Sequence, residues 1–192
     1  MSVNFLYLIQ QLLMNYNLLL FDADGTLFDY NRAEKFALNK TFSYYNIIWQ
    51  ENFLDEFRMI NDSVWKKFEK GILKINEVKL KRFHYLFEKI SLKLNVNEFS
   101  EKYLENLSQA GFLLNGALEI INEYIDRCTI AIITNGIKKI QESRFKGSPL
   151  VNIIHNLFIS DAIGIAKPDK KIFMNHECYE MHVFVEGQVC YI

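Results

Sequence analysis

Cysteine is scarce in this chain, and the three present do not pair in sequence. Cys128, Cys178 and Cys190 form no Cys-x-x-Cys, and an odd, widely spaced set argues against a disulfide framework. A reducing, cytoplasmic setting fits that usage. An excess of one charge is missing as well. With a formal net charge of -1 there is no general electrostatic reason to hold a nucleic-acid polymer or an acidic membrane, so a small molecule is the expected partner. The lysine pairs Lys66-Lys67, Lys138-Lys139 and Lys170-Lys171 read as solvated helix faces. Nor is there a run of about 18 uncharged apolar residues distinct from the first strand. The apolar stretch from Phe5 to Leu13 has no basic residue ahead of it, so it is expected to be neither signal peptide nor membrane span. Met14 makes a sensible start to the first strand, and residues 1–13 are expected to be an extension. No exposed heptad or basic patch recommends a helical interaction module.

What the chain has in abundance is apolar residues, half of its 192, enough for one sizeable core plus a small inserted unit. The run Leu18-Leu19-Leu20-Phe21 suits a strand buried on both faces of a parallel sheet, and it ends abruptly in Asp22-Ala23-Asp24-Gly25. Both carboxylates therefore fall at the strand's carboxyl end, where open α/β sheets bind ligands. Two carboxylates so close repel, and a hard divalent cation such as Mg²⁺ relieves the cost.

From Asn31 to about Ala110 apolar residues recur at three and four spacing, which predicts helices over Ala33–Tyr45, Phe53–Lys70, Asn76–Lys93 and Asn97–Gln109. Four helices between a first strand and the rest of a sheet make an inserted cap, a device that excludes water and selects substrates. His84 and Trp65 lie in it and read as surface or packing residues. After Gly111 the α/β pattern resumes, with a helix over Gly116–Asp126 and a buried strand from Cys128 that ends in Thr134-Asn135-Gly136. A hydroxyl and nearby backbone N–H groups at a strand end can converge on an anion. A helix over Ile137–Lys146 and a short strand over Leu157–Ser160 follow. Pro168 then disfavours helix at Lys167 and leaves that amine at a loop–helix junction.

Phe21-Asp22-Ala23-Asp24-Gly25-Thr26-Leu27, Thr134-Asn135-Gly136 and Lys167-Pro168 stand in the order of the first three motifs of the haloacid-dehalogenase-like hydrolase superfamily, which this chain resembles from Phe21 to Phe173. The wording looks most like its bacterial pyrimidine 5'-nucleotidase branch. The resemblance implies an α/β fold, a Rossmann-like parallel sheet core over 14–30 and 111–173 with an all-helical cap over 31–110. It implies hydrolysis of nucleoside 5'-monophosphates through an aspartyl-phosphate. Asp22 would be the nucleophile, and Asp24 the general acid and base. Thr134, Asn135 and Lys167 would bind the phosphoryl group, and Mg²⁺ would be held by Asp22 and Asp24. Dehalogenases of the superfamily lack an acid at the second position because halide needs no proton, so Asp24 favours phosphate esters.

A fourth motif, an acidic pair on a further strand, is due where the resemblance stops. Residues 174–192 lack the expected Gly-Asp and read as an atypical tail, as if the pattern were truncated. Glu177, Glu180 and Glu186 are candidate replacement ligands there. His176, Cys178, His182 and Cys190 are of zinc-binding type but match no zinc spacing. The alternative implied is a weakly active or inactive relative that at most binds phosphate.

Overall fold

The computed structural model of the chain describes residues 18–154, 156–174, 182–185 and 188–191, with Met174 and the last two stretches described as backbone. Alternation sets the core. Leu18–Asp22 forms β1, and its side chains point by turns to opposite faces. Leu19 and Phe21 pack with Ile130 and Ile132 on one face, while Leu18 and Leu20 pack with Ala131, Ile133 and Ile172 on the other. β1 lies parallel to β2 (Thr129–Thr134), with Leu18 opposite Thr129 and Asp22 opposite Ile133. β3 (Asn156–Ile159) lies parallel to β2 on its far side.

On the other side of β1 the backbone of His182–Val185 (β4) runs parallel to it, and Gln188–Tyr191 (β5) returns antiparallel, giving the order β3-β2-β1-β4-β5. The sequence describes 174–192 only as an atypical tail lacking the fourth motif; its valines and aromatics are strand formers.

Between β1 and β2 come the four expected cap helices: α1 (Tyr30–Tyr44), α2 (Glu51–Glu69), α3 (Ile75–Ile90) and α4 (Val96–Ser108). Local chemistry sets their ends. The Asp29 carboxylate accepts the Arg32 N–H at 2.9 Å and starts α1. Asn95 Oδ1 accepts from Asn97 N and Glu98 N and starts α4. α3 stops three residues earlier than expected, because Ser91 turns left-handed at φ 55°. The helices bury a mostly aromatic core of Phe42, Phe53, Phe57, Phe83, Phe87, Phe99 and Tyr103. Each such ring contributes about 1.5–3 kcal/mol of burial.

The chain enters and leaves the cap through a short ribbon. Asp29 N donates to Phe112 O at 2.9 Å, Leu114 N donates to Leu27 O at 2.9 Å, and Phe28 bridges Leu113. The cap rests on α6 (Lys138–Lys146), which follows α5 (Ala117–Tyr124) and β2, and Ile137 and Ile140 join the cap's own core. The short helices α7 (Ser160–Ile163) and α8 (Lys171–Met174) follow β3. Among the described residues no helix is long and apolar enough to cross a membrane.

Candidate active site

The two carboxylates are presented differently, although one residue separates them. Asp22 ends β1, and its Oδ1 takes both the Lys167 ammonium at 2.7 Å and the Ala23 N–H at 2.8 Å. Its Oδ2 makes no polar contact among the described residues. Burial pushes the Asp22 carboxyl above the usual carboxylate range, Lys167 pulls it back, and Asp24 pushes it up again. Asp24 lies past the strand end, just before Gly25 turns the chain at φ +82°, a conformation glycine adopts without strain. The backbone there folds back on itself, with Leu27 N and Phe28 N both donating to Ala23 O. The Asp24 carbonyl accepts no backbone hydrogen bond among the described residues.

The Asp24 side chain is held from α6. Arg144 Nη1 donates to its Oδ1 at 2.6 Å and Gln141 Nε2 to its Oδ2 at 2.8 Å. Gln141 Nε2 also donates to Thr134 Oγ1 at 3.0 Å, and Gln141 Oε1 accepts from Arg144 at 3.0 Å. Arg144 is buried, and its Nε donates to Ala110 O at 3.1 Å, at the base of the cap. Gly136 makes room for this arrangement. A Cβ on it would lie 2.5 Å from Gln141 Cγ and 2.7 Å from Gln141 Nε2.

Asn135 and Lys167 form a second clamp. Asn135 Nδ2 donates to Lys167 O, and Lys167 N donates to Asn135 Oδ1, each at 2.8 Å. This pair fixes the loop, so that the Lys167 amine reaches Asp22 and, at 3.4 Å, the Ile133 carbonyl. The helix expected from Pro168 begins later, at Lys171, after Asp169 accepts its N–H at 2.9 Å.

All five residues expected from the sequence, Asp22, Asp24, Thr134, Asn135 and Lys167, thus meet at the carboxyl ends of β1 and β2. The relief of carboxylate repulsion differs from the expectation in one respect. Two protein cations already provide part of it, Lys167 to Asp22 and Arg144 to Asp24. Gln141 and Arg144 were missed in the sequence, though one signal was available: a glutamine and an arginine three apart share a helix face just after Thr-Asn-Gly. His84 is exposed and pairs with Glu88, and Trp65 packs on Phe68, as expected.

Among the described residues no group of three or more His, Cys, Asp or Glu side chains could hold a metal. The candidate ligands Glu177, Glu180, Glu186, His176, Cys178, His182 and Cys190 have side chains outside the described residues.

Comparison with known proteins adds the following. Residues 19–192 match the family model described as haloacid dehalogenase-like hydrolase. The match runs past Phe173, where the motif resemblance stops. The chain is 30% identical to the HAD-hydrolase YfnB of Bacillus subtilis over 82% of this chain and 67% of that protein. It is 28% identical to the pyrimidine 5'-nucleotidase YjjG of Escherichia coli, over 83% and 69% respectively. It is 31% identical to the pyrimidine 5'-nucleotidase PynA of Streptococcus pneumoniae, over 81% and 66%. The chain therefore spans about two-thirds of the length of these relatives. A crystal structure of YfnB bound to magnesium, which reveals interdomain movement in that protein, superposes with a TM-score of 0.77 over 83% of this chain and 70% of that one.

Proposed function

The chain belongs to the haloacid dehalogenase-like hydrolase family, and from that footing we propose that it hydrolyses phosphate monoesters, nucleoside 5'-monophosphates in particular. The observation that carries this reading is the division of labour between the two carboxylates. Asp22 keeps one oxygen uncommitted beside a lysine, and Asp24 is tethered by Gln141 and Arg144 within reach of the same strand end. Similarity to two pyrimidine 5'-nucleotidases supports the choice of ester.

Asp22 Oδ2 attacks phosphorus, and the bond from phosphorus to the nucleoside oxygen breaks. Asp24, having first taken a proton from solvent, gives it to that leaving oxygen. The resulting aspartyl-phosphate is a mixed anhydride. Asp24, now ionised, takes a proton from water, which attacks phosphorus, releases inorganic phosphate and restores Asp22. Thr134 Oγ1 and the Asn135 N–H would donate to the phosphoryl oxygens, and Lys167 would offset charge on both nucleophile and phosphate. The Asp22 carboxylate, through the oxygen that does not attack, and the Asp24 carbonyl are hard oxygen donors of the kind Mg²⁺ takes, so these two groups would hold it. Bound there, Mg²⁺ would neutralise the charge that otherwise opposes an anionic nucleophile approaching an anionic phosphate.

Turnover of cytidine and uridine 5'-monophosphate with Mg²⁺, measured as released phosphate, tests the reading. Asp22→Asn should abolish turnover and prevent capture of a beryllofluoride adduct. Undiminished turnover in Asp22→Asn would refute the assignment of nucleophile.

A further inference from the structure

One buried side chain joins the acid to the anion-binding hydroxyl. Gln141 is buried on α6, and its amide nitrogen donates both to Asp24 Oδ2 at 2.8 Å and to Thr134 Oγ1 at 3.0 Å. The direction of that amide is dictated by its neighbours. A guanidinium can only donate, and Arg144 Nη1 lies 3.0 Å from the other end of the amide, which is therefore the carbonyl Oε1. Turned the other way, the amide would set its N–H groups against the guanidinium and its oxygen 2.8 Å from a carboxylate. Arg144 is itself fixed, being buried and bonded to Asp24 and Ala110.

The orientation of the amide decides what the Thr134 hydroxyl can do. A hydroxyl carries one proton and two lone pairs. Gln141 donates to a lone pair of Thr134 Oγ1, and the hydroxyl's own proton has no acceptor among the described residues, although Thr134 is buried. The amide also stands between that hydroxyl and Asp24, a carboxylate that would otherwise compete for the same proton. A buried donor without a partner is costly, and the acceptor missing here is one that a ligand can bring. The neighbouring side-chain amide is not free to serve instead, since Asn135 exchanges both of its hydrogen bonds with the backbone of Lys167.

We propose that Gln141 is a positioning residue that fixes the polarity of the Thr134 hydroxyl, presenting its proton to a phosphoryl oxygen, while the same amide orients Asp24. This rests on the phosphatase reading above and deepens it. Gln141 makes and breaks no covalent bond. It supplies direction, in a sequence of donors that runs from Arg144 Nη1–H to Gln141 Oε1, from Gln141 Nε2–H to Thr134 Oγ1, and from Thr134 Oγ1–H to the phosphoryl group, each link polarising the next. Capture of the anion and orientation of the acid are thereby tied to one side chain. Glutamate at 141 would invert the sequence, because its second oxygen would accept the Thr134 proton and stand as a like charge against Asp24.

The first test is the affinity of the full chain with Mg²⁺ for inorganic phosphate, read by phosphorus NMR titration. Thr134→Val keeps the shape and removes the hydroxyl, and should weaken phosphate by about ten- to a hundredfold. Gln141→Met, of similar volume, should weaken it by about three- to tenfold in the parent and by less than about twofold further in Thr134→Val. In Thr134→Ser, which retains a hydroxyl, Gln141→Met should again cost about three- to tenfold. A merely structural role for Gln141 would give the same loss in all three backgrounds and would overturn the proposal, as would phosphate binding in Gln141→Glu as tight as in Gln141→Met. The second test compares kcat/KM for phenyl phosphate with that for p-nitrophenyl phosphate, whose leaving group departs without a proton. Thr134→Val should lower both by one factor, whereas Gln141→Met should lower phenyl phosphate severalfold further, because Asp24 loses a donor too. Equal losses for the two esters in Gln141→Met would refute the tie to Asp24. A coupled phosphate cycle with no ester hydrolysis by the parent chain would uphold the role of Gln141 at an anion site and refute the phosphatase reading. Hydrolysis without the coupled cycle, or no phosphate binding by the parent, would overturn the proposal.

Discussion

Gly136 gives the sharpest test of how the site is held, because any side chain there would meet Gln141 directly. Alanine at 136 would bring a Cβ to 2.5 Å from Gln141 Cγ and 2.7 Å from Nε2, so the glutamine must move. Its backbone φ is not in the left-handed region, so no conformational strain adds to the effect. If Gln141 leaves, Asp24 loses a donor at 2.8 Å and Thr134 one at 3.0 Å. A hydrogen bond to a charged group contributes about 1.5–3 kcal/mol and a neutral one about 0.5–1.5 kcal/mol. If the glutamine stays, overpacking costs about 1–3 kcal/mol instead. Gly136→Ala should therefore destabilise the chain by about 1–4 kcal/mol by urea unfolding, toward the upper end if the glutamine is displaced. Turnover should drop roughly tenfold as Asp24 loses orientation. The decisive measurement is the double-mutant cycle. In a Gln141→Ala background the clash partner is gone, so adding Gly136→Ala should cost under about 0.5 kcal/mol. Additive effects of the two substitutions would refute the claim that Gly136 exists to seat Gln141.

Lys167→Met removes the main influence that lowers the Asp22 carboxyl against burial. Catalysis needs Asp22 ionised, so the acid limb of kcat/KM should move to higher pH, as a pH–rate profile at saturating Mg²⁺ would read. The stability consequence has the opposite sense to an ordinary salt-bridged carboxylate. Because the folded value lies above 3.8, the folded state binds the proton more tightly. Stability from this group is therefore full at acid pH and declines as pH rises through the folded value. Melting profiles of Lys167→Met should show a steeper decline toward neutral pH than the parent, and a profile parallel to the parent's would count against the pairing. Arg144→Met strips Asp24 of its 2.6 Å partner and Ala110 of its 3.1 Å donor. Loss of kcat by about tenfold or more, with KM for phenyl phosphate within about twofold, is expected of a positioning residue, whereas a change confined to KM would place Arg144 on the phosphate instead.

The parallel core was legible in the sequence because burial on both faces leaves a mark that needs no partner to interpret. Leu18-Leu19-Leu20-Phe21 and Ile130-Ala131-Ile132-Ile133 are unbroken apolar runs, and each ends in polar residues at the edge where ligands bind. The cap helices were legible from their three-and-four spacing, although α1 begins at Tyr30, three residues before the expected Ala33, because the Asp29 carboxylate caps it. Asp22, Asp24, Thr134, Asn135 and Lys167 stood at strand or loop ends in a fixed order, so their convergence could be expected before any coordinate. What the tertiary structure alone decided is which cation serves which carboxylate. Arg144 is 120 residues from Asp24 and Gln141 is 117, and nothing local distinguishes them from solvated helix residues until α6 is laid beside β1. Arg82, buried on α3, was harder still. On a helix wheel it is one charged residue among several, next to the apolar Phe83, and its burial follows only from Tyr103 and Asn61 arriving from two other helices. Local patterns report what a residue does to its own segment. Pairing across segments depends on the packing angle of whole helices, which is written in no single stretch.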